Sequence, residues 1–206
     1  IRKAISKRSM NSVLNTLPSS FYQGTDVVRI ARELLGKVIV TNFNGIRTSG
    51  IITETEAYAG ATDKASHAHG GKRTARNEPM YAAGGIAYVY LCYGIHHLFN
   101  VVTNVTGVPH AVLVRAMHPT TGLPTMKERR GSDTLTTAGP GTLTQALGIR
   151  TDHSGTDISS GLIRLEDHGI TVTPSHVIVG PRIGIDYAGP DALLPYRFRI
   201  APSHLL

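Results

Sequence analysis

Two glutamates and a tyrosine at alternate positions, Glu54, Glu56 and Tyr58, are the residues of this chain best placed to do chemistry. They lie in Gly50-Ile51-Ile52-Thr53-Glu54-Thr55-Glu56-Ala57-Tyr58, a β-branched, alternating run that reads as a strand and stops at the Ala59-Gly60 break. Period-2 geometry puts Ile52, Glu54, Glu56 and Tyr58 on one face, with Ile51, Thr53, Thr55 and Ala57 on the other. Carboxylates beside an aromatic ring near a strand's end make poor core and a serviceable acid–base site. The competing reading is the solvated face of an edge strand.

Three further stretches could act with this one. His67-Ala68-His69-Gly70-Gly71-Lys72-Arg73-Thr74-Ala75-Arg76-Asn77 is Gly-rich, basic and short of apolar residues, so it reads as an exposed loop. Its amides, Lys72, Arg73 and Arg76 suit phosphate contacts; a merely flexible basic loop is the alternative. From Gly85 to Thr106 an aromatic β-hairpin is expected with its tip at Tyr93-Gly94. Tyr88 then reads as a buried sheet residue, whereas Tyr93 would be an exposed ring of the kind used to wedge between base steps. In the strand His110 to His118, Arg115 shares a face with Ala111, Leu113 and Met117, and so needs an acidic or phosphate partner.

The elements that must position these residues are short and mixed. A helix from Thr25 to Leu35 is predicted, with Thr25 as N-cap and Gly36 as its stop. A strand over Lys37 to Asn42 turns at Asn44-Gly45 into Ile46–Ser49 and then the Glu56 strand. Thr121 to Arg130 reads as a short helix or turn with a basic end. Leu143 to Gly148 reads as a helix, preceded by Gly139-Pro140-Gly141-Thr142. Short strands follow, with turns at Asp167–Gly169 and Gly180-Pro181, closing on Tyr196–Ile200. No repeat or linker divides the chain. Residues 1–20 read as a flexible basic tail ahead of a single domain, 21–206.

Composition narrows the partners. At 206 residues with 41% hydrophobic and 17% charged residues, the chain suits one globular domain. No apolar run approaches a membrane span, and the single cysteine, Cys92, excludes an internal disulfide; both favour an intracellular protein. The chain opens at Ile1 and reads as trimmed, so targeting signals are not legible. A formal net charge of +7 points to an anionic partner, nucleic acid first. The basic excess is concentrated with the Glu56 strand: residues 1–130 carry 16 Lys+Arg against 7 Asp+Glu, and residues 131–206 carry 5 against 7. His67-Ala68-His69 and His96-His97 invite a zinc reading, but H-E-x-x-H is absent and no third ligand has a convincing spacing, so no metal is expected. G-x-S-x-G is absent too, which disfavours a serine hydrolase.

From about Phe21 to Ile200 the chain resembles the alkyladenine (3-methyladenine) DNA glycosylases of the mammalian type. The resemblance rests on ordered blocks: Glu54-Thr55-Glu56-Ala57-Tyr58; Ala65-Ser66-His67; Tyr88-Val89-Tyr90 with Tyr93-Gly94; Asn100; Val114-Arg115-Ala116 with Pro119; Gly139-Pro140-Gly141 with Gln145-Ala146-Leu147; and Gly180-Pro181-Arg182-Ile183-Gly184-Ile185. It implies an α+β fold, a single mixed domain with a curved, largely antiparallel β-sheet flanked by helices and a hairpin protruding near Tyr93. It also implies a monomer that releases alkylated or deaminated purines from double-stranded DNA, working on genomic DNA inside the cell without a cofactor.

By that resemblance Glu56 deprotonates a water that Arg115 helps to position. Tyr58, Ala65, His67, Tyr90 and Asn100 form the pocket: the tyrosines stack on the flipped base, His67 bonds its edge and Asn100 restricts which purines fit. Tyr93, Lys72, Arg73, Thr74 and Arg76 contact DNA, with Tyr93 filling the gap in the duplex. The general acid is not identified, and His67 is a candidate. The chain departs from the family pattern at Lys72, often arginine there, and at His96-His97, and its first twenty residues align with no counterpart. A catalytically silent DNA- or RNA-binding module on the same fold is the alternative function.

Overall fold

A computed structural model describes residues 15–202. Eight strands form one antiparallel sheet: β1 (Val38–Phe43), β2 (Ile46–Tyr58), β3 (Ala87–Cys92), β4 (His96–Thr103), β5 (His110–Thr121), β6 (Ile163–Glu166), β7 (Val177–Gly180) and β8 (Arg197–Ile200). Among the described residues four α-helices accompany them: α1 (Ser19–Tyr22), α2 (Val27–Glu33), α3 (Leu123–Arg130) and α4 (Pro140–Leu147). The fold is the expected α+β class. Among the described residues no helix is long and apolar enough to cross a membrane.

The spatial order is β3-β4-β5-β2-β1-β6. β5 lies along one edge of β2; β1 borders the first half of its other edge and β8 the second half. The Glu56 strand is therefore central, not an edge, which removes the solvated-face reading. The predicted segments Ile46–Ser49 and Gly50–Tyr58 are one continuous strand, started by Asn44 and Gly45 with φ of 54° and 78°. Positive φ at both central residues gives the hairpin turn whose twist matches the flanking strands.

One sheet face is the main core. Alternation sends Ala57, Ala87, Val89, Phe99, Val101, Val112 and Val114 into it, against Ile30 and Leu34 on the α2 side and Leu143 and Leu147 of α4. The opposite positions, Tyr88, Val102 and Ala111, form a second cluster with Ala68 and Met80. α2 is shorter than predicted, and its cap is Asp26, whose side chain accepts the Arg29 amide at 2.9 Å, rather than Thr25.

Strict alternation fails at one place that matters. The ladder between β2 and β5 runs Ile52 to Met117, Glu54 to Ala116, Thr55 to Val114 and Glu56 to Leu113. Thr53 and Arg115 are each an extra residue without a partner. The Thr53 bulge puts Ile52 in the main core with Ala57, not on the Glu54–Tyr58 face as the simple period predicts. Bulges re-aim side chains in this way.

Residues 1–14, most of the expected basic tail, lie outside the described residues. Within the described part, Thr16 bridges Glu166, and buried Leu17 donates its amide to Leu165 O at 2.9 Å.

Beyond β2, a buried ion pair ties two loops together. Asp63 and Arg182 have side chains 1% and 0% exposed; Arg182 Nη2 donates to Asp63 Oδ1 at 2.9 Å. Arg182 Nη1 also donates to Ala57 O at 2.9 Å, and Asp63 accepts the amides of Ala59 and Ala65. Removing one partner strands a charge in the interior, so Asp63→Ala is expected to cost about 3–5 kcal/mol of unfolding free energy. Urea denaturation measures this; a loss below about 1 kcal/mol, the range of exposed pairs, would show that water screens this one.

Candidate active site

The sheet's register sets a row of side chains across four strands. Tyr88 faces Asn100, Asn100 faces Leu113, and Leu113 faces Glu56. A cavity of about 700 Å³ opens on this side of the sheet. Tyr58, Ala65, His67, Arg76, Tyr90, Tyr93, Asn100 and Arg115 all line it, so eight residues expected from different parts of the chain converge. Lys72, Arg73 and Thr74 lie on the neighbouring loop instead.

Glu56 has no exposed surface. It sits behind three groups that line the cavity, and each makes a contact to it. The Ile183 amide donates to Oε1 at 2.8 Å, Arg115 Nη1 stands 3.3 Å from Oε1, and the Tyr58 hydroxyl donates to Oε2 at 2.9 Å. Burial pushes the Glu56 carboxyl above its ordinary range. Arg115, the Ile183 amide and Tyr58 pull it back, and the like charge of Glu54 adds a smaller upward push. Burial and the Glu56 charge raise the Tyr58 phenol well above its usual value, so it remains a protonated donor.

Sequence reasoning asked for an acidic partner for Arg115 and the structure supplies two. Besides Glu56, Glu54 Oε1 accepts Arg115 Nε at 2.9 Å, and it accepts Arg197 Nε at 2.7 Å. Ile183 was quoted only within a family block without a role; a backbone amide leaves no side-chain signature. It is aimed because Arg182 next to it is locked on Asp63, with its guanidinium 4.8 Å from the Tyr58 ring centre.

The other wall is aromatic. His67 meets Tyr90 edge-on with ring centres 4.6 Å apart, and Tyr88 and Tyr90 lie 5.5 Å apart. His67 Nδ1 is 2.8 Å from the Tyr88 hydroxyl. Burial, with Arg76 and Lys72 close by, lowers the His67 imidazole to about 4, so the ring is neutral near pH 7. The His67 Nδ1–Tyr88 hydroxyl contact leaves Nε2 as the ring nitrogen without a partner among these groups. Asn100 is buried, with Nδ2 donating to Tyr88 O at 3.1 Å and Leu98 O at 3.3 Å. Its amide is thereby oriented.

The basic loop is more structured than its composition suggests. Asn77, 2% exposed, donates to His67 O and Lys72 O and accepts the Thr74 amide and hydroxyl. Arg73 is held by Glu78 and lies over Tyr81, whereas Arg76 reaches Tyr90, its guanidinium 5.2 Å from the ring centre. At the hairpin tip Tyr93 is 88% exposed with φ of 51°, followed by Gly94 at 73°. A bulky residue in the left-handed region with its ring in solvent is a strained arrangement of the kind found at functional sites. His96 packs against Gly141, where a Cβ would come within 2.8 Å of Nδ1, and His97 Nδ1 accepts the Thr151 amide at 3.2 Å. Both histidines dock the hairpin's base onto its neighbours.

Residues 20–204 match the family described as Methylpurine-DNA glycosylase (MPG). A Chlamydia felis protein provisionally named 3-methyladenine DNA glycosylase is 48% identical over 186 residues, covering 88% of this chain and 94% of its own. A Bacillus cereus protein of the same provisional name is 44% identical over 194 residues, covering 88% and 93%. The match spans every strand and every residue of the cavity just described, and the chain belongs to the methylpurine-DNA glycosylase family of DNA-repair enzymes.

Proposed function

We propose that this enzyme extrudes alkylated or deaminated purines from duplex DNA into the aromatic cavity and hydrolyses the N-glycosidic bond with a water deprotonated by Glu56. The observation that carries the reading is the buried Glu56 carboxylate, held by Arg115, the Ile183 amide and Tyr58 directly behind the wall of an aromatic cavity. The provisional name of the relatives, 3-methyladenine DNA glycosylase, agrees with it.

Extrusion costs about a few kcal/mol and stacking on aromatic rings returns about 1–3 kcal/mol per base. Tyr58 and Tyr90 supply that stacking, and a purine carrying positive charge gains cation–π attraction as well. His67 hydrogen-bonds the base's edge, and Asn100 sets the shape that fits beside it. Tyr93 fills the space the base vacated. The Glu56 Oε2 oxygen has one protein donor and so keeps a lone pair for a water, which reaches it once Tyr58 gives way, since Glu56 has no exposed surface in the free protein. As that water attacks the sugar carbon, its proton passes to Glu56 and the bond's electron pair leaves with the purine. With the imidazole lowered to about 4, His67 serves as a hydrogen-bonding group rather than as the general acid. Arg76 and the exposed Lys72 face the phosphates; Arg73 joins them only by exchanging Glu78 for phosphate.

Glu56→Gln is expected to lower single-turnover release of hypoxanthine from duplex DNA by at least about a hundredfold, within the range for loss of a general base. Affinity for the lesion duplex should change little; full activity in this variant removes the assignment and favours a binding-only role for the site. The release rate should rise with pH through a midpoint above the ordinary glutamate value of about 4.3, because the base must be ionised and burial raises its pKa. A rate–pH profile centred at or below that value contradicts the environment described for Glu56. Tyr93→Ser should leave the urea midpoint intact and weaken lesion binding about tenfold, the loss of one stacking contact. Equal affinity in a gel titration would make Tyr93 an ordinary turn residue.

A further inference from the structure

Glu54 has no part in the hydrolysis above, yet it is held firmly beside the site. Its Oε1 receives two guanidinium groups, Arg115 Nε at 2.9 Å from β5 and Arg197 Nε at 2.7 Å from β8. Arg115 needs such an anchor. It is the extra residue of a bulge, so no paired neighbour across the ladder fixes its direction. Its contact to Glu56 is the longer one, 3.3 Å, and runs through Nη1, the far end of the guanidinium. Glu54 side-chain exposure is 16% and that of Arg115 is 13%, so solvent offers neither a full substitute.

We propose that Glu54 is a positioning residue: it fixes Arg115 through Nε so that Nη1 stays on the Glu56 carboxylate, while Arg197 keeps Glu54 itself in place. This rests on Glu56 being the base. The two carboxylates stand two residues apart on one strand, and Arg115 bridges them. Arg115 facing Glu56 from β5 lowers its pKa, and Glu54 on β2 raises it. The remaining polar groups around Glu56 are the Tyr58 hydroxyl, the Ile183 amide, Arg197 opposite it on β8, and Arg182 with its partner Asp63.

Two variants separate anchoring from charge. Glu54→Gln keeps an acceptor for Arg115 Nε and removes the like charge, so the Glu56 pKa should fall. Glu54→Ala removes the acceptor and frees Arg115, so the Glu56 pKa should rise. Titration of the Glu56 carboxyl by carbon-13 NMR reads both. Single-turnover hypoxanthine release at pH 7 should drop about tenfold to a hundredfold in Glu54→Ala, the scale of a misplaced catalytic group, with duplex affinity retained. Glu54→Gln should recover most of that rate.

Opposite movements of the two titrations, with the rate lost only in Glu54→Ala, support the proposal. Titrations that move the same way overturn it, as does a Glu54→Ala rate equal to wild type. A parallel loss of rate, duplex affinity and urea midpoint in both variants makes Glu54 an ordinary structural ion pair and also overturns it. The NMR titration reads the anchor whether or not base is released. Failure of the Glu56 assignment instead appears as base release by Glu56→Gln.

Discussion

A carboxylate with no exposed surface has lost its water, and every donor that replaces that water must come from a fixed place in the fold. For Glu56 the replacements are a guanidinium, a backbone amide and a phenol. A carboxylate moved to low dielectric without them would take up a proton and cease to be a base. With them it is held between two tendencies, burial raising its pKa and the donors lowering it. That balance suits a base working near neutral pH, and it requires three separate segments to arrive together.

The sheet brings them together by means that are mostly not side-chain chemistry. Register across β3, β4, β5 and β2 sets Tyr88, Asn100, Leu113 and Glu56 in one row, so the aromatic wall and the acid share a face. Alternation keeps Arg115 on the face of Leu113, where Glu54 and Glu56 meet it, and the irregularity beyond it sends Met117 into the main core. The Asp63–Arg182 pair locks the segment whose next amide, that of Ile183, points at Glu56. Each device also serves stability, since the same ion pair closes the loop after β2. Loosening any of them would leave the fold recognisable and the acid misplaced.

Much of this was legible in the residues themselves. Asn44-Gly45 announced its hairpin through the two left-handed positions it can occupy, and Tyr93-Gly94 announced the second by the strand-forming residues on either side of it. Alternation placed Glu54, Glu56 and Tyr58 together, and the cost of burying a lone arginine required an acidic or phosphate partner near Arg115. What the period could not carry was its own interruption. The Thr53 bulge moves Ile52 into the core, and nothing in a run of β-branched residues marks where a ladder will slip by one. Asp26 rather than Thr25 caps α2, because either residue type can do so and one position decides it. The Ile183 amide has no side-chain signal, and Asp63 lies 119 residues from Arg182, a pairing that only the closed fold reveals. The basic loop is exposed as its composition indicates, while its internal ties are not legible there: Asn77 and Glu78 engage part of its hydrogen-bonding capacity and charge.

The central claim is that the buried Glu56 carboxylate presents an oxygen to a water at the reacting sugar. A crystal structure of the protein with duplex DNA carrying a cationic pyrrolidine in place of the damaged nucleotide's sugar tests this directly. The predicted result is one ordered water within hydrogen-bonding distance of a Glu56 oxygen and facing the pyrrolidine ring at the position of the anomeric carbon. A Glu56 carboxylate sealed behind Tyr58 and Arg115, with no water between it and the ring, would contradict the claim.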